Sequence, residues 1–264
     1  MILRYARPED LDSICRVWQS SFGDSEKFIR TFFDRTGIIA TTAVAELDGQ
    51  ICSLMCAFDG IGDMSYLYAL CTAPEYRGRG IGSEVLRETI RLARCRGAST
   101  VALHPADNEL AKWYSDNFSL SPTGYFAHEQ FTASDTPLAA EEVSFSKLLA
   151  ADSSVTAQLC AAQEVLAQFY GGHLLKVGSS LVYVEERSGE VTVKAIPQII
   201  PETEQSEVFS AIAKYFGVPS ISVRKYFINK PVILRTHYVN LACNCTAPNE
   251  TSIIPYYGFQ YVLD

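Results

Sequence analysis

The sequence predicts a mixed α/β fold, and three observations carry that prediction. Short apolar runs with strand character alternate with amphipathic runs of helical period, as at 64–72 followed by 80–96. Between those two runs lies a glycine-rich turn, Arg77-Gly78-Arg79-Gly80-Ile81-Gly82-Ser83. Asp48-Gly49 separates two further apolar runs and is a strong two-residue signal for a β-hairpin.

The first half of the chain predicts strands and helices in a definite order. Residues 2–6 alternate as a strand, and Pro8 with the two acids after it opens a helix through Ser20, because proline and carboxylates suit a first helical turn. A helix at 26–33 and a hairpin of 38–47 with 50–58 follow. Then come strand 64–72, helix 80–96, strand 100–104, a short helix that carries Tyr114, and two strands at 119–126 and 128–131.

Length and composition indicate a globular protein with a substantial core. The 264 residues suffice for one large domain or two of ordinary size, and 48% of them are hydrophobic against 20% charged. The formal net charge of −8 argues against a nucleic-acid partner, which would require a basic face. No apolar run approaches the roughly 18 residues of a membrane span, and the N-terminus lacks a cleavage pattern. We therefore expect a cytoplasmic protein with no membrane partner.

The cysteines are expected to be reduced core residues that hold no metal. They are scattered through apolar segments without a C-x-x-C pair or nearby histidines. The eight positions are Cys15, Cys52, Cys56, Cys71, Cys95, Cys160, Cys243 and Cys245. Cys243 and Cys245 are the closest pair, and their neighbourhood offers no further ligands for a tetrahedral site.

The glycine-rich turn predicts a site for a pyrophosphate. A strand that ends in such a turn and enters a helix presents unpaired backbone N–H groups, and the positive end of the helix dipole, to an anion. Glycine at positions 78, 80 and 82 removes the side chains that would hold a ligand away from that backbone.

Spacing separates three kinds of phosphate loop. A dinucleotide fingerprint requires G-x-G-x-x-G and an acidic residue at the end of the next strand, whereas strand 100–104 ends without a carboxylate. A nucleoside-triphosphate loop requires G-K-[ST], and no lysine precedes Ser83. The remaining pattern is Arg-x-x-Gly-x-Gly at Arg77, Gly80 and Gly82. It resembles the coenzyme A signature of the GCN5-related N-acetyltransferase (GNAT) superfamily.

A second motif lies downstream, in the position that this resemblance requires. Asn108 to Phe118 reads N-x-x-A-x-x-Y-x-x-N-F, and GNAT enzymes carry N-x-x-A-x-x-x-Y-x-x-x-G-F or its one-residue-shorter form there. Asn117 replaces the usual glycine, and we expect it to end the helix in the left-handed region, which asparagine tolerates. The structural alternative for Tyr114 is a packed aromatic ring on the inner face of the helix.

The resemblance implies a GNAT acyl-CoA N-acyltransferase fold for residues 1–132, as a catalytic domain that binds acetyl-CoA. Strands 64–72 and 100–104 are expected to separate, so that the backbone of Leu70, Cys71 and Thr72 pairs with the pantetheine arm. Asn108 reaches the pantetheine from the far side. The residues that would surround the pyrophosphate are Arg77, Gly78, Arg79, Gly80, Ile81, Gly82 and Ser83. The side chains of Arg77, Arg79 and Arg87 have two alternative roles: each contacts a phosphate oxygen, or each is a solvated charge on the surface. The sequence leaves both alternatives open.

The resemblance also implies direct transfer of an acetyl group to a primary amine of a small molecule, amino acid or peptide. Tyr114 would be the catalytic acid that protonates the departing thiolate. The base that deprotonates the amine stays unassigned among Glu46, Asp63, Tyr66 and Tyr68. The alternative from another class is a non-catalytic acyl-CoA-binding regulatory module, which has no need of a proton donor at the sulfur.

The second half of the chain predicts a degenerate GNAT-like repeat. A polar linker at 133–143 precedes residues 144–264. The expected elements there are helices at 144–151 and 155–170, a hairpin of 174–186 with 191–198, a helix at 204–216, and strands at 220–226, 232–242 and 256–262. Pro201-Glu202-Thr203-Glu204 replaces the glycine turn, and its acids would repel a pyrophosphate. This half either shapes the acceptor pocket or serves as a stabilising or dimerising partner, which leaves a homodimer open.

Overall fold

The computed structural model describes residues 1–61, 63–151, 155–195, 200–227 and 238–244, and they divide into two compact units. The first unit contains Met1–His104, Trp113–Ser121 and residues 241–244. The second contains Pro105–Lys112 and the other described residues between 122 and 240. The predicted boundary at 132 does not coincide with this division, because residues 122–132 belong to the second unit.

A mixed sheet forms the centre of the first unit. Its strands are β1 (Ile2–Tyr5), β2 (Ala43–Leu47), β3 (Gln50–Ile61), β4 (Met64–Thr72), β5 (Thr100–Leu103) and residues 241–244 of β12 (Tyr238–Asn244). They are ordered β1-β2-β3-β4-β5-β12, and neighbours are antiparallel except β4 and β5, which are parallel. The mixed α/β class predicted from the sequence is confirmed.

Four helices complete the described part of this unit. They are α1 (Leu11–Phe22), α2 (Glu26–Thr36), α3 (Ile81–Cys95) and α4 (Asn108–Phe118), the last of which begins among residues of the second unit. α2 begins where the Ser25 hydroxyl accepts the Phe28 N–H at 3.2 Å. α3 buries Val85, Leu86 and Ala93 completely and packs against β2, β3 and β4, as its apolar spacing predicts.

Local signals explain most of the turns in the first unit. The predicted hairpin at Asp48-Gly49 is confirmed: both residues adopt positive φ, +51° and +80°, as a two-residue turn between β2 and β3 requires. The predicted strand at 38–47 is wrong in its first part, because Ile38–Thr41 is a 3-10 turn. There the hydroxyl of Thr42 donates to the Ile38 carbonyl at 2.9 Å, so a side chain supplies the hydrogen bond that a strand partner would give.

The second unit has a mixed sheet of its own. Its strands are β6 (Ser121–Thr132), β7 (Ala140–Glu142), β8 (Gly172–Val177), β9 (Ser180–Arg187), β10 (Glu190–Ala195) and β11 (Ser220–Phe227), in the order β6-β11-β10-β9-β8-β7. β10 and β11 are parallel, and the other neighbours are antiparallel. The helices are α5 (Ser146–Ala151), α6 (Ala157–Tyr170) and α7 (Glu202–Phe216). Val208, Phe209 and Ile212 of α7 pack on this sheet.

Three predicted elements of this region differ in the structure. The two strands at 119–126 and 128–131 are one strand, β6, because β11 pairs with it without interruption from Tyr125 to Thr132. The predicted strand at 174–186 is two strands, β8 and β9. A turn at Gly178, with φ of +58°, divides them, and the prediction missed this turn. Part of the linker, Ala140–Glu142, pairs with β8 as β7. Residues 232–237 and the predicted strand at 256–262 lie outside the described residues.

No helix in the described part of the chain is both long enough and apolar enough to cross a membrane.

Candidate active site

The glycine-rich turn is held open by backbone conformation at two positions. After β4 the chain makes a 3-10 turn at Pro74–Tyr76, and Gly78 and Gly80 then adopt φ of +74° and +77°. A Cβ at either glycine would meet no atom within 4 Å, so the left-handed backbone, and not crowding, is what favours glycine there. At Gly82 the reason is space, because a Cβ would lie 3.1 Å from the Thr72 hydroxyl.

The backbone of this turn presents a row of unused hydrogen-bond donors. Within the described residues, the N–H groups from Gly78 to Ser83 have no acceptor, and the first helical bond of α3 runs from Glu84 to the Gly80 carbonyl at 3.2 Å. Gly80 is the N-cap of α3, and no side chain of the described residues caps the helix start by a hydrogen bond. Free N–H groups at the positive end of a helix bind anions, and a pyrophosphate is an anion that can accept several such hydrogen bonds. We call residues 78–83 the cradle.

The three arginines near the cradle have partners within the protein. Arg77 donates from Nε to the Thr72 carbonyl at 2.9 Å, and its own N–H donates to Pro74, so it adds no backbone donor to the cradle. The guanidinium carbon of Arg79 lies 5.5 Å from the centre of the Tyr76 ring. Arg87 pairs with a neighbouring carboxylate on α3 at 2.6 Å and lies over the Phe118 ring. Each of these arginine side chains is therefore at least partly engaged within the protein, whereas the cradle N–H groups have no acceptor among the described residues.

β4 and β5 separate just before the cradle, as expected. Their parallel pairing covers only Met64–Thr100, Ser65–Val101 and Tyr66–Ala102. Among the described strands, none pairs with residues 67–72 of β4 on that side. The antiparallel pairing with β3 is interrupted between Tyr68 and Cys71, and Ala69 there has φ of +56°. β4 thus carries a bulge beside an open edge, where backbone groups are available to a ligand.

The three predicted pantetheine contacts on β4 face different sides. Ala73 donates its N–H to the Cys52 carbonyl at 2.9 Å, and the Cys71 carbonyl accepts the Ser53 hydroxyl at 2.8 Å, so both residues are engaged by β3. Backbone direction alternates along a strand, and therefore Leu70 and Thr72 face the open edge. Of the predicted set, Leu70 and the N–H of Thr72 are the backbone groups placed to meet an extended ligand, because the Thr72 carbonyl accepts from Arg77 Nε.

Tyr114 lies on α4 with its ring against Trp113 and Phe118, at centroid distances of 5.0 and 6.5 Å. Only 7% of the residue is exposed, and burial raises the pKa of Tyr114 to about 12. Its hydroxyl makes no hydrogen bond within the described residues. The side chain is thus neutral at physiological pH and keeps a proton donor unengaged.

Asn108 is the first residue of α4 and is exposed. The residue before it, Asp107, holds the helix start by accepting the Leu110 N–H at 2.7 Å, a cap that the sequence reading missed. The expectation that Asn117 ends the helix in the left-handed region is wrong. Ser119 has the positive φ, +56°, while Asn117 stays helical and donates from Nδ2 to the Trp113 carbonyl at 2.8 Å.

The side chains considered as bases are engaged elsewhere. Glu46 accepts from Arg4 at 2.9 Å, and Asp63 accepts the Ser99 hydroxyl. Tyr66 is buried, and Tyr68 packs its ring against Trp18. No base is assigned to any of these residues.

The thiols close to the open edge are unreactive. Burial raises the pKa of Cys71 well above its ordinary value and the pKa of Cys56 to about 12. A thiol needs to ionise to act as a nucleophile, so a covalent route through Cys71 is disfavoured. Cys245 of the pair at 243 and 245 lies outside the described residues.

A parallel strand pair that separates beside a glycine-rich helix start is the arrangement of the GNAT fold. Residues 8–115 match the model of the acetyltransferase (GNAT) family. The match includes the cradle, Asn108 and Tyr114.

Solved structures share the fold over most of the chain. A GCN5-related N-acetyltransferase from Kribbella flavida superposes with a TM-score of 0.67 at 16% identity, covering 94% of this chain and 72% of that one. A putative acetyltransferase from Pyrococcus horikoshii gives 0.62 at 15% identity, covering 100% and 94%. A GCN5-related N-acetyltransferase from Anabaena variabilis gives 0.65 at 12%, covering 92% and 72%. No curated protein sequence matches the chain. At these identities the likeness establishes the fold alone.

Proposed function

We propose that the chain is an N-acetyltransferase that transfers an acetyl group from acetyl-CoA to a primary amine of a small molecule, amino acid or peptide. The observation that carries the proposal is the position of the cradle directly after the open edge of β4. The pyrophosphate of acetyl-CoA would lie on the free N–H groups of the cradle. Its pantetheine arm, which contains amide groups, would lie along the free backbone of β4.

The residues present fit acetyl-CoA in three respects. The cradle offers consecutive N–H donors to a pyrophosphate, Gly82 keeps the backbone accessible beside Thr72, and Leu70 turns its backbone toward the open edge. Acetyl-CoA would supply the activated acyl group as a thioester. The protein would supply binding, orientation and a proton, and holding both reactants together would account for a large share of the acceleration.

The bond changes require one proton donor and one proton acceptor. As the amine nitrogen bonds to the carbonyl carbon and the carbon–sulfur bond breaks, the amine loses a proton to water or a base, and the sulfur gains one. Tyr114 is suited to give that proton, because its hydroxyl is neutral and has no partner in the described part of the chain. A backbone N–H at the β4 bulge would stabilise the negative charge that develops on the carbonyl oxygen.

The second unit supports a different proposal for residues 144–264, namely a degenerate GNAT-like half that does not bind acetyl-CoA. Its parallel strands β10 and β11 are joined through α7, as β4 and β5 are joined through α3. Pro201 precedes α7 in place of a glycine turn, and the acidic Glu204 lies in its first turn, where it would repel phosphate. One acetyl-CoA should therefore bind per chain, and calorimetric binding of two would contradict this proposal.

The experiment that tests the proposed function is an acetylation screen. Purified protein is incubated with acetyl-CoA and a panel of amines, amino acids and peptides, and the products are identified by mass spectrometry alongside released thiol. Tyr114→Phe removes the proton donor and should lower kcat by about 100-fold or more while binding of acetyl-CoA persists. Tyr5→Phe is the matched control, since that phenol accepts from Arg96 at the C-terminal end of α3, the end opposite the cradle.

The outcomes separate the two classes of function. Acetylated product that depends on Tyr114 supports the enzyme. Binding of acetyl-CoA without product from any acceptor, and unaltered by Tyr114→Phe, would contradict it and favour the acyl-CoA-binding regulatory module.

A further inference from the structure

Arg77 opens the coenzyme A motif in sequence, yet its side chain lies against helix α1. Nε donates to the Thr72 carbonyl at 2.9 Å. Nη2 donates to the Ser21 hydroxyl at 3.2 Å and lies 3.4 Å from the Ser20 carbonyl. One guanidinium thus joins the last residue of β4 to the last turn of α1.

The end of α1 needs such a partner. The helix ends at Phe22, and Gly23 donates to the Gln19 carbonyl, which leaves the Ser20 carbonyl without an acceptor role inside the helix. No basic residue of α1 itself lies in that last turn. A cation from another element stabilises the negative end of a helix and hydrogen-bonds its last carbonyls. Arg77 meets both needs.

α1 therefore touches β4 on both sides of the bulge. On the near side, the Trp18 ring lies 6.0 Å from the Tyr68 ring. On the far side, Arg77 fastens Thr72 to Ser21. Between the two contacts lies the irregular backbone at Ala69, with φ of +56°, followed by Leu70. A left-handed non-glycine residue is strained and persists when its surroundings fix it from more than one direction.

We propose that Arg77 is a positioning residue that braces the β4 bulge against α1, and that its side chain is not a ligand of the pyrophosphate. This inference rests on the proposed function, because the bulge is the segment whose backbone would meet the pantetheine and the reacting carbonyl. The brace fixes the direction of the Leu70 backbone groups before the ligand arrives.

The decisive variants are Ser21→Ala and Arg77→Lys. The first deletes the α1 partner without changing any charge, and the second keeps the charge but replaces the planar fork that reaches two elements at once. Ser21→Thr restores the hydroxyl as a rescue. The matched control is Arg16→Lys with Ser13→Ala, an arginine–serine hydrogen bond of 2.8 Å on the exposed side of the same helix.

The first measurement is amide hydrogen exchange of the ligand-free protein. Peptides covering 64–72 and 17–23 should exchange faster in Ser21→Ala and Arg77→Lys than in the wild type, and Ser21→Thr should return them toward it. The control variants should leave both segments unchanged. Wild-type exchange in both Ser21→Ala and Arg77→Lys would overturn the brace, whether or not the protein binds coenzyme A.

The second measurement is calorimetric affinity for coenzyme A. The brace predicts that Ser21→Ala and Arg77→Lys each weaken binding by about 2- to 10-fold, the worth of one net hydrogen bond. A phosphate contact by Arg77 predicts instead that Ser21→Ala binds as the wild type does and that Arg77→Lys retains most of the affinity; that pair of results would contradict the proposal. Absence of wild-type binding would refute the proposed function, while the exchange result would still decide the brace.

Discussion

Tyr114→Phe tests the buried state of the proposed acid without any assay of activity. Burial raises the pKa of Tyr114 from 10 to about 12 in the folded protein, so between those values the folded phenol keeps a proton that the unfolded chain loses. The unfolded state then binds fewer protons, and the free energy of unfolding falls as the pH rises. At about pH 11 the loss amounts to about 1.4 kcal/mol, one full unit of difference in proton affinity.

The assay follows urea unfolding by tryptophan fluorescence at about pH 8 and about pH 11. Trp18 and Trp113 are the two tryptophans of the chain, and both lie in the first unit, so the signal reports the unit that holds Tyr114. Tyr114→Phe removes the phenol that makes the free energy of unfolding fall with pH. Between the two pH values, the free energy of unfolding of this variant should therefore fall by about 1.4 kcal/mol less than that of the wild type. Tyr76→Phe is the control, because that tyrosine lies in the same unit and is only half-buried. Equal losses in the wild type and Tyr114→Phe would refute the burial argument.

Three further predictions concern the rest of the first unit. In the native protein, a thiol reagent followed by peptide mapping should label the exposed Cys95 and spare Cys71, whose raised pKa keeps it protonated; native labelling of Cys71 would contradict this. The Arg4 side chain lowers the pKa of Asp10, so its stabilising effect is complete above about pH 4 and is lost as the pH falls through the depressed value. Arg4→Met should therefore shift acid unfolding, followed by tryptophan fluorescence, to higher pH, and an unchanged midpoint would speak against the pair. Gly82→Ala should weaken calorimetric binding of coenzyme A without unfolding the protein, because its Cβ would lie 3.1 Å from the Thr72 hydroxyl beside the cradle; unaltered affinity would show that this space is not needed.

The sequence predicted those parts of the fold that depend on local chemistry. The Asp48-Gly49 hairpin, the amphipathic α3 and the strand at 64–72 follow from turn residues and from the period of apolar side chains, and all three are present. The glycine turn and the separated strands were predicted as one feature, because a family resemblance linked them.

The errors arose where a contact distant in sequence, or a single backbone angle, decides the structure. The continuity of β6 depends on its partner β11, which lies about ninety residues further along the chain, and no local pattern encodes that pairing. The turn at Gly178 and the left-handed Ser119 are decided by single φ values. The direction of the Arg77 side chain depends on where α1 ends, so sequence reasoning could not separate a phosphate ligand from a brace.

Calorimetric titration with acetyl-CoA tests the central claim, that the cradle binds the pyrophosphate. The wild type is compared with Gly80→Glu, which adds a charge to the cradle, and with Gly49→Glu in the β2–β3 hairpin. Both glycines have nearly the same positive φ, +77° and +80°, and open space around them, so the backbone strain is matched and only the location differs. The account predicts one acetyl-CoA per chain for the wild type and Gly49→Glu, and loss of binding in Gly80→Glu. Equal binding by all three proteins would contradict it.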